Sequence, residues 1–158
     1  MKSHKLFVMC GVPGAGKSTW LAKQDNAYVI SRDAIRFAMV KEDEEYFSKE
    51  TQVFKQYIKE IQQAINSDNT PENIYCDATH INSKARNKLL KALDLTNVEQ
   101  IIVVVVRPSL EETIRRNAQR SGRAKVPVAA IRRMWNSFER PEYDEDKIFD
   151  TLYVEVPE

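Results

Sequence analysis

Residues 11–18 read GVPGAGKS, a complete G-x-x-x-x-G-K-[ST] motif that directly follows the apolar run LFVMC at 6–10. Glycines let the backbone turn tightly enough to direct N–H groups at phosphate oxygens, while the lysine adds a mobile cation and the serine a hydroxyl for magnesium. A simple glycine-rich turn would require neither the full octet nor the helix-forming segment 18–23 that follows it. The motif therefore predicts a nucleoside triphosphate site. Its residues are Gly11, Pro13, Gly14, Ala15, Gly16, Lys17, Ser18 and Thr19.

Length and patterning predict one α/β domain. The 158 residues suit a single domain, and a hydrophobic content of 42% is enough for one core sheet with covering helices. Helical patterns alternate with five β-branched or aromatic runs, at 5–10, 27–30, 73–76, 98–106 and 148–154. This alternation is typical of a parallel sheet built from right-handed crossovers. We expect a P-loop NTPase-type three-layer sandwich, with a five-stranded parallel sheet flanked by helices, in a single domain at 1–158.

Apolar spacing and end signals predict further helices. Ser109 is the expected N-cap of one, and Pro127 occupies the first-turn position of another. Between these two, residues 120–125 are basic and contain Ser and Gly, which favours a mobile hinge. We therefore expect a basic helical lid at about 109–138. The predicted helices are 47–66, 83–93, 109–120 and 128–138.

The charge balance excludes a chain that binds nucleic acid over its whole surface. Lys and Arg number 24 against 23 Asp and Glu, a net charge of +1, so any site for a polyanion must be local. Acids are concentrated at 42–45 and 142–146, and bases between 115 and 133. Cys10 and Cys76 each end an apolar run, where a thiol is more often a buried hydrophobe than a disulfide or metal partner. We expect a reducing, cytoplasmic setting.

Neither a membrane span nor a structural metal is expected. The apolar run 101–106 is far shorter than the roughly 20 residues that cross a bilayer, and no apolar leader segment precedes the phosphate loop. His4 and His80 are isolated and lack metal-ligand spacing. The oligomeric state stays open.

A carboxylate and a guanidinium follow the second predicted strand. Residues 31–36 read SRDAIR, which places Asp33 and Arg36 on one face if a helix begins here. Ligands of doubly wound sheets lie at the carboxyl ends of the strands, so this segment is expected beside the phosphate loop. Such a carboxylate can accept a nucleophile's proton in phosphoryl transfer. Alternatively, Asp33 caps the helix and pairs with Arg36.

Four blocks, in order, resemble the P-loop polynucleotide 5′-kinases, typified by the kinase domain of the phage end-healing polynucleotide kinase and including small kinase-like relatives. The blocks are 11–20 (GVPGAGKSTW), 31–36 (SRDAIR), 77–82 (DATHIN) and 116–120 (RNAQR), the last running into VP at 126–127. Many NTPases share the first block, whereas the ordered set is much more specific and covers nearly the whole chain. The resemblance implies ATP as phosphoryl donor and Mg²⁺ as the metal.

The resemblance implies roles for residues of the first two blocks. Lys17 and Ser18 would hold the triphosphate and its magnesium. Asp33 would be the general base on a 5′-hydroxyl, and Arg36 would contact the acceptor's phosphate.

The resemblance also implies roles for the later blocks. Arg116 and Arg120 match paired lid arginines that offset charge on the donor phosphates in the transition state; a solvated basic helix face is the alternative. Asp77 is expected near magnesium or the acceptor, and its partition between them stays open. Thr79 and His80 belong to the predicted acceptor site, where His80 either hydrogen-bonds a phosphate or lines the cleft.

Three functions follow from these features. The leading hypothesis is an ATP-dependent phosphotransferase that moves the γ-phosphate to a 5′-hydroxyl of RNA or DNA. The second is a P-loop kinase of a small hydroxyl compound such as a nucleoside, sugar or antibiotic. The third is a non-catalytic ATP-binding module. Arg36 favours the first, since a chain phosphate beside the hydroxyl would require a guanidinium and a neutral acceptor would not.

Overall fold

The computed structural model describes residues 2–156, apart from the side chain of Arg123, and contains a five-stranded sheet. The strands are β1 (His4–Cys10), β2 (Ala27–Ser31), β3 (Asn73–Asp77), β4 (Val98–Val106) and β5 (Asp150–Val154). The strand order is β2-β3-β1-β4-β5, and every neighbouring pair is parallel, as predicted.

Six α-helices are present in the described part of the chain. Short 3-10 helices lie at Gly122–Ala124 and Pro141–Tyr143. The α-helices are α1 (Lys17–Leu21), α2 (Arg32–Met39), α3 (Glu50–Ile65), α4 (Ser83–Lys91), α5 (Leu110–Ala118) and α6 (Val128–Asn136). None of them is long and apolar enough to cross a membrane.

Alternating strand residues build a core on each face of the sheet. Leu6 and Val8 of β1 join α3 and α4 in one cluster, whereas Met9 lies in a second cluster with Leu21 of α1 and Ile131 of α6. Successive strand side chains point to opposite faces, so a central strand must be apolar on both. The result is the expected three-layer α/β sandwich.

The observed element ends differ slightly from the predicted ones. The long third helix begins at Glu50 rather than 47, and the last strand at Asp150 rather than 148. Pro127 is the N-cap of α6 instead of its first residue. Ser109 is the N-cap of α5 as predicted, because its side chain accepts a hydrogen bond from the N–H of Glu112.

The parallel strands bring the functional segments to one edge. The phosphate loop follows β1, α2 follows β2, and Asp77 is the last residue of β3. Ser31 is paired with Asp77 in the β2–β3 register. The segments that carry the predicted chemistry therefore emerge side by side.

Candidate active site

A cleft of about 600 Å³ lies at the carboxyl edge of the sheet. Phosphate-loop, α2, β3 and lid residues line it together. Twelve of the predicted site residues are in its wall: Pro13, Gly14, Gly16, Lys17, Ser18, Thr19, Asp33, Arg36, Asp77, Thr79, Arg116 and Arg120. Gly11, Ala15 and His80 lie outside it.

The phosphate loop requires glycine where its backbone turns and where other groups come close. Gly16 has φ 106°, and a Cβ there would lie 2.8 Å from Nη1 of Arg116. At Gly11 a Cβ would lie 2.6 Å from the carbonyl oxygen of Val106, on the neighbouring strand. A side chain at either position would displace the loop or its neighbours. Gly11 thus supports the loop from beneath, and its N–H donates to the carbonyl of Thr79 at 2.9 Å.

Lys17 extends back across its own loop. Its ammonium donates to the carbonyl oxygens of Gly11 at 2.7 Å and Ala78 at 3.3 Å. Burial lowers the pKa of Lys17, and the charges of Asp77 and Asp33 act against that shift. The lysine is therefore a cation held in place by backbone carbonyls, and it interacts electrostatically with both carboxylates.

Asp33 is held by a guanidinium and a phenol. Nη1 of Arg36 and the hydroxyl of Tyr46 both donate to its Oδ1, the latter at 3.2 Å. No hydrogen bond within residues 2–156 reaches Oδ2, and the side chain is 48% exposed. The N-cap of α2 is Ser31, so Asp33 does not cap this helix. One carboxylate oxygen is thus oriented by the protein while the other faces no protein donor.

Arg36 is almost completely engaged by protein groups. Its Nε and Nη2 donate to the two carboxylate oxygens of Glu50 at 2.6 and 3.0 Å, and Nη1 serves Asp33. The residue is 7% exposed. Such bidentate pairing fixes a guanidinium in one plane. Its charge is thus balanced without an acceptor phosphate, so the presence of Arg36 does not discriminate between acceptors.

Asp77 lies between the phosphate loop and Asp33. Burial raises its pKa, the charge of Lys17 opposes that rise, and Asp33 adds to it. Ser18 lines the same cleft. Mg²⁺ in such sites takes one or two protein ligands and completes its shell with phosphate oxygens and water. A serine hydroxyl and one carboxylate fit this pattern, and no cluster of three His, Cys, Asp or Glu ligands occurs among the described residues.

The lid arginines have different partners. Nε of Arg116 donates to Glu112 at 2.9 Å, and its guanidinium lies against Gly16. Nη1 of Arg120 is buried and has no hydrogen-bond partner within the described part of the chain. A buried donor without an acceptor costs stability, and an anion in the cleft would satisfy it. An anion bound in the cleft would thus give Arg120 the acceptor that it lacks among the described residues.

His80 does not reach the cleft. The residue is 4% exposed, its Nδ1 donates to the carbonyl of Met9 at 2.7 Å, and its ring stacks on Tyr57. The predicted phosphate contact or lining position of His80 thus has no geometric basis here. Burial lowers its pKa to about 3, despite the bond to Met9. The histidine is a neutral core residue behind the site.

Several residues of the cleft wall were not predicted from the sequence. Tyr46 and Phe47 directly follow the acidic run 42–45, and Glu50 is the first residue of α3. Their spacing from Arg36 did not predict that they line the cleft. Arg32 belongs to a recognised block, and its Nη2 donates to Glu50 at 3.2 Å. Only the β2–α2 block carried a signal for this side of the cleft.

Residues 6–141 match a family model described as an AAA domain. The chain belongs to this family. No curated protein matches the sequence of this AAA-domain chain.

Solved structures with this fold include a chain of an RNA repair complex, a fungal RNA kinase and a sugar kinase. A chain of the Pnkp1/Rnl/Hen1 RNA repair complex is 21% identical, with a TM-score of 0.69 over 87% of this chain and 44% of its own length. A fungal RNA kinase is 16% identical, with a TM-score of 0.70 over 100% of this chain and 76% of its own. A sugar kinase from Janibacter sp. HTCC2649 is 14% identical, with a TM-score of 0.62 over 96% of this chain and 84% of its own.

These likenesses confirm the three-layer α/β fold, with a five-stranded parallel sheet flanked by helices, that the sequence predicted. The AAA-domain chain spans less than half the length of the RNA repair chain.

Proposed function

We propose that this chain is an ATP-dependent phosphotransferase that moves the γ-phosphate to a 5′-hydroxyl of RNA or DNA. The observation that carries the proposal is that Asp33 and the phosphate loop line one cleft. Phosphoryl transfer requires little covalent chemistry from the protein and depends on positioning and charge. This cleft supplies a cation, a base and lid arginines at the same place.

In the proposed reaction, Oδ2 of Asp33 accepts the proton of the attacking hydroxyl. The acceptor oxygen forms a bond to the γ-phosphorus as the bond from that phosphorus to the β,γ-bridging oxygen breaks, and ADP leaves. Lys17 holds the donor phosphates, and Arg120 offsets charge on the transferred group. Ser18 and Asp77 would hold Mg²⁺, which when bound neutralises charge on the donor phosphates.

The acceptor assignment has three supports. A fungal RNA kinase is among the structures with the same fold, and the four ordered sequence blocks resemble polynucleotide 5′-kinases. Arg32 adds a further cation beside Asp33, with its Nε buried and unpartnered in the described part of the chain. A small hydroxyl compound is the second candidate, because Arg36 is already neutralised by Glu50 and a sugar kinase shares the fold.

Transfer of labelled γ-phosphate to 5′-hydroxyl oligonucleotides, nucleosides and sugars tests the proposal. Asp33→Asn should lower kcat for the oligonucleotide by about 100-fold or more, the usual contribution of a general base, and leave ATP affinity unchanged. Lys17→Ala should weaken ATP binding and transfer together. Labelling of sugars alone would overturn the assignment of a polynucleotide as the acceptor. Full turnover by Asp33→Asn would overturn the assignment of Asp33 as the general base.

A further inference from the structure

An exposed aromatic ring stands in the cleft beside the proposed base. Phe47 is 61% exposed, although it lines the same cavity as Asp33 and Arg36. It is one of the most exposed large apolar side chains of the described residues. None of the other exposed large apolar side chains among those residues lines the cleft. An apolar surface left open inside a polar cleft suits a planar apolar ligand group.

The ring is fixed by the groups that orient Asp33. The rings of Phe47 and Tyr46 meet edge to face, with centroids 4.6 Å apart and an interplanar angle of 84°. The guanidinium of Arg36 lies 5.6 Å from the Phe47 centroid and 5.0 Å from that of Tyr46. Tyr46 in turn donates to Oδ1 of Asp33. Tyr46 and Arg36 thus each contact both the exposed ring of Phe47 and the carboxylate of Asp33.

The charge around the ring selects which part of an acceptor would lie there. Residues 42–45 read EDEE, directly before Tyr46 and Phe47, and Glu42, Asp43 and Glu45 are exposed. Lys49 pairs with Glu44, so it does not offset the three exposed acids. Residues 42–45 do not line the cleft itself, and their charge disfavours phosphate groups along the segment that leads to the ring. A neutral, planar base is the part of a nucleotide that this surface accepts.

We infer that Phe47 is a stacking platform for the terminal base of the acceptor, a specificity residue of the same site. The inference rests on the proposed function. A base stacked on Phe47 places its attached sugar beside Asp33, where the 5′-hydroxyl must lose its proton. Stacking on one aromatic face is tolerant of base identity, because every base presents a π-face. The phosphate chain then leaves the cleft away from residues 42–45.

The experiment compares two short RNA acceptors with a 5′-hydroxyl, one intact and one whose terminal nucleotide lacks its base. Phe47→Ala should raise KM for the intact RNA about 5- to 150-fold, the range that loss of one base–aromatic stack implies, with KM for ATP unchanged. Phe47→Trp should restore the low KM. With the base-free acceptor, wild type and Phe47→Ala should have the same KM.

Tyr143→Ala is the matched control, because it removes an aromatic ring that is 77% exposed and lies outside the cleft. It should leave both KM values unchanged. An equal effect of Phe47→Ala on both acceptors, or a loss of kcat alone, would overturn the stacking role while leaving the kinase proposal intact. Transfer by wild type to a base-free sugar and to neither RNA would overturn the proposed acceptor and the stacking role together.

Discussion

At the scale of single residues, the site is defined by what surrounds one carboxylate. Glu50 binds Arg36 through both carboxylate oxygens, and Arg36 binds Asp33. Burial raises the pKa of Glu50, but the hydrogen bonds and charge of Arg36 outweigh this, and the pKa lies below its usual value. Glu50 therefore stays ionised and holds the guanidinium in place. It is a positioning residue that acts on Asp33 through Arg36.

Glu50→Gln should lower kcat by about 10- to 100-fold, because a base displaced by a fraction of an ångström to one ångström loses alignment. KM for ATP should stay unchanged, since the side-chain hydrogen bonds of Glu50 within the described residues go to Arg32 and Arg36 of α2 and not to the phosphate loop. Steady-state kinetics with a 5′-hydroxyl oligonucleotide measures both values. Glu60→Gln, the same change further along α3, is the control and should behave as wild type. A raised KM for ATP with normal kcat in Glu50→Gln would contradict this role.

At the scale of elements, the basic connector between α5 and α6 is closed by one buried amide. Asn117 is 1% exposed, its Nδ2 donates to the carbonyl of Val126 at 2.7 Å, and its Oδ1 accepts from the N–H of Val126 at 2.9 Å. This pair joins the end of α5 to the segment before α6. It also holds Arg120 within a loop of fixed ends.

Asn117→Ala should loosen this loop, because it removes two hydrogen bonds worth about 1 kcal/mol each. We expect trypsin to cleave within 120–125 about ten times faster, and kcat to fall while ATP affinity changes little. Timed proteolysis and steady-state kinetics measure the two effects. Asn136→Ala, at an exposed position of α6, is the matched control. Equal cleavage rates in wild type and Asn117→Ala would show that the Asn117 amide does not hold the ends of this loop together.

The elements also show what the sequence could predict. Short runs of β-branched and aromatic residues predicted all five strands. The signal is strong for a central strand such as β4, because it is apolar on both faces. The motif at 11–18 and the SRDAIR block predicted the two sides of the cleft. Asn117 and Glu50 escaped prediction because each acts on a residue distant in the chain, and no local pattern encodes such contacts. His80 was misplaced for the same reason, since only the fold turns its ring toward Met9.

At the scale of the whole molecule, a buried charged cluster joins the site to the rest of the fold. Arg86 is 0% exposed and binds both carboxylate oxygens of Asp144, at 2.8 and 2.9 Å. It also donates to the carbonyls of His80 and Glu139, so one side chain links α4, the loop after β3 and the segment after α6. The backbone of His80 is therefore bound by a buried cation, while its ring stacks on Tyr57.

Acid should destabilise the molecule through His80. Burial, together with the charges of Lys17, Arg32 and Arg86, lowers the pKa of His80 to about 3, and its Nε2 has no partner among the described residues. The unfolded chain takes up this proton near pH 6.5, so the stabilisation is complete above that pH and is lost as the pH falls towards 3. By pH 5 the free energy of unfolding should fall by about 2 kcal/mol from this histidine alone.

Urea unfolding at pH 7 and pH 5 measures this loss of stability. His80→Asn should reduce the loss, because asparagine does not titrate and tolerates the left-handed backbone, φ 40°, at this position. His4→Asn removes the second of the two histidines and shows whether the effect belongs to His80. Identical losses in wild type and His80→Asn would exclude it as the acid-sensitive group.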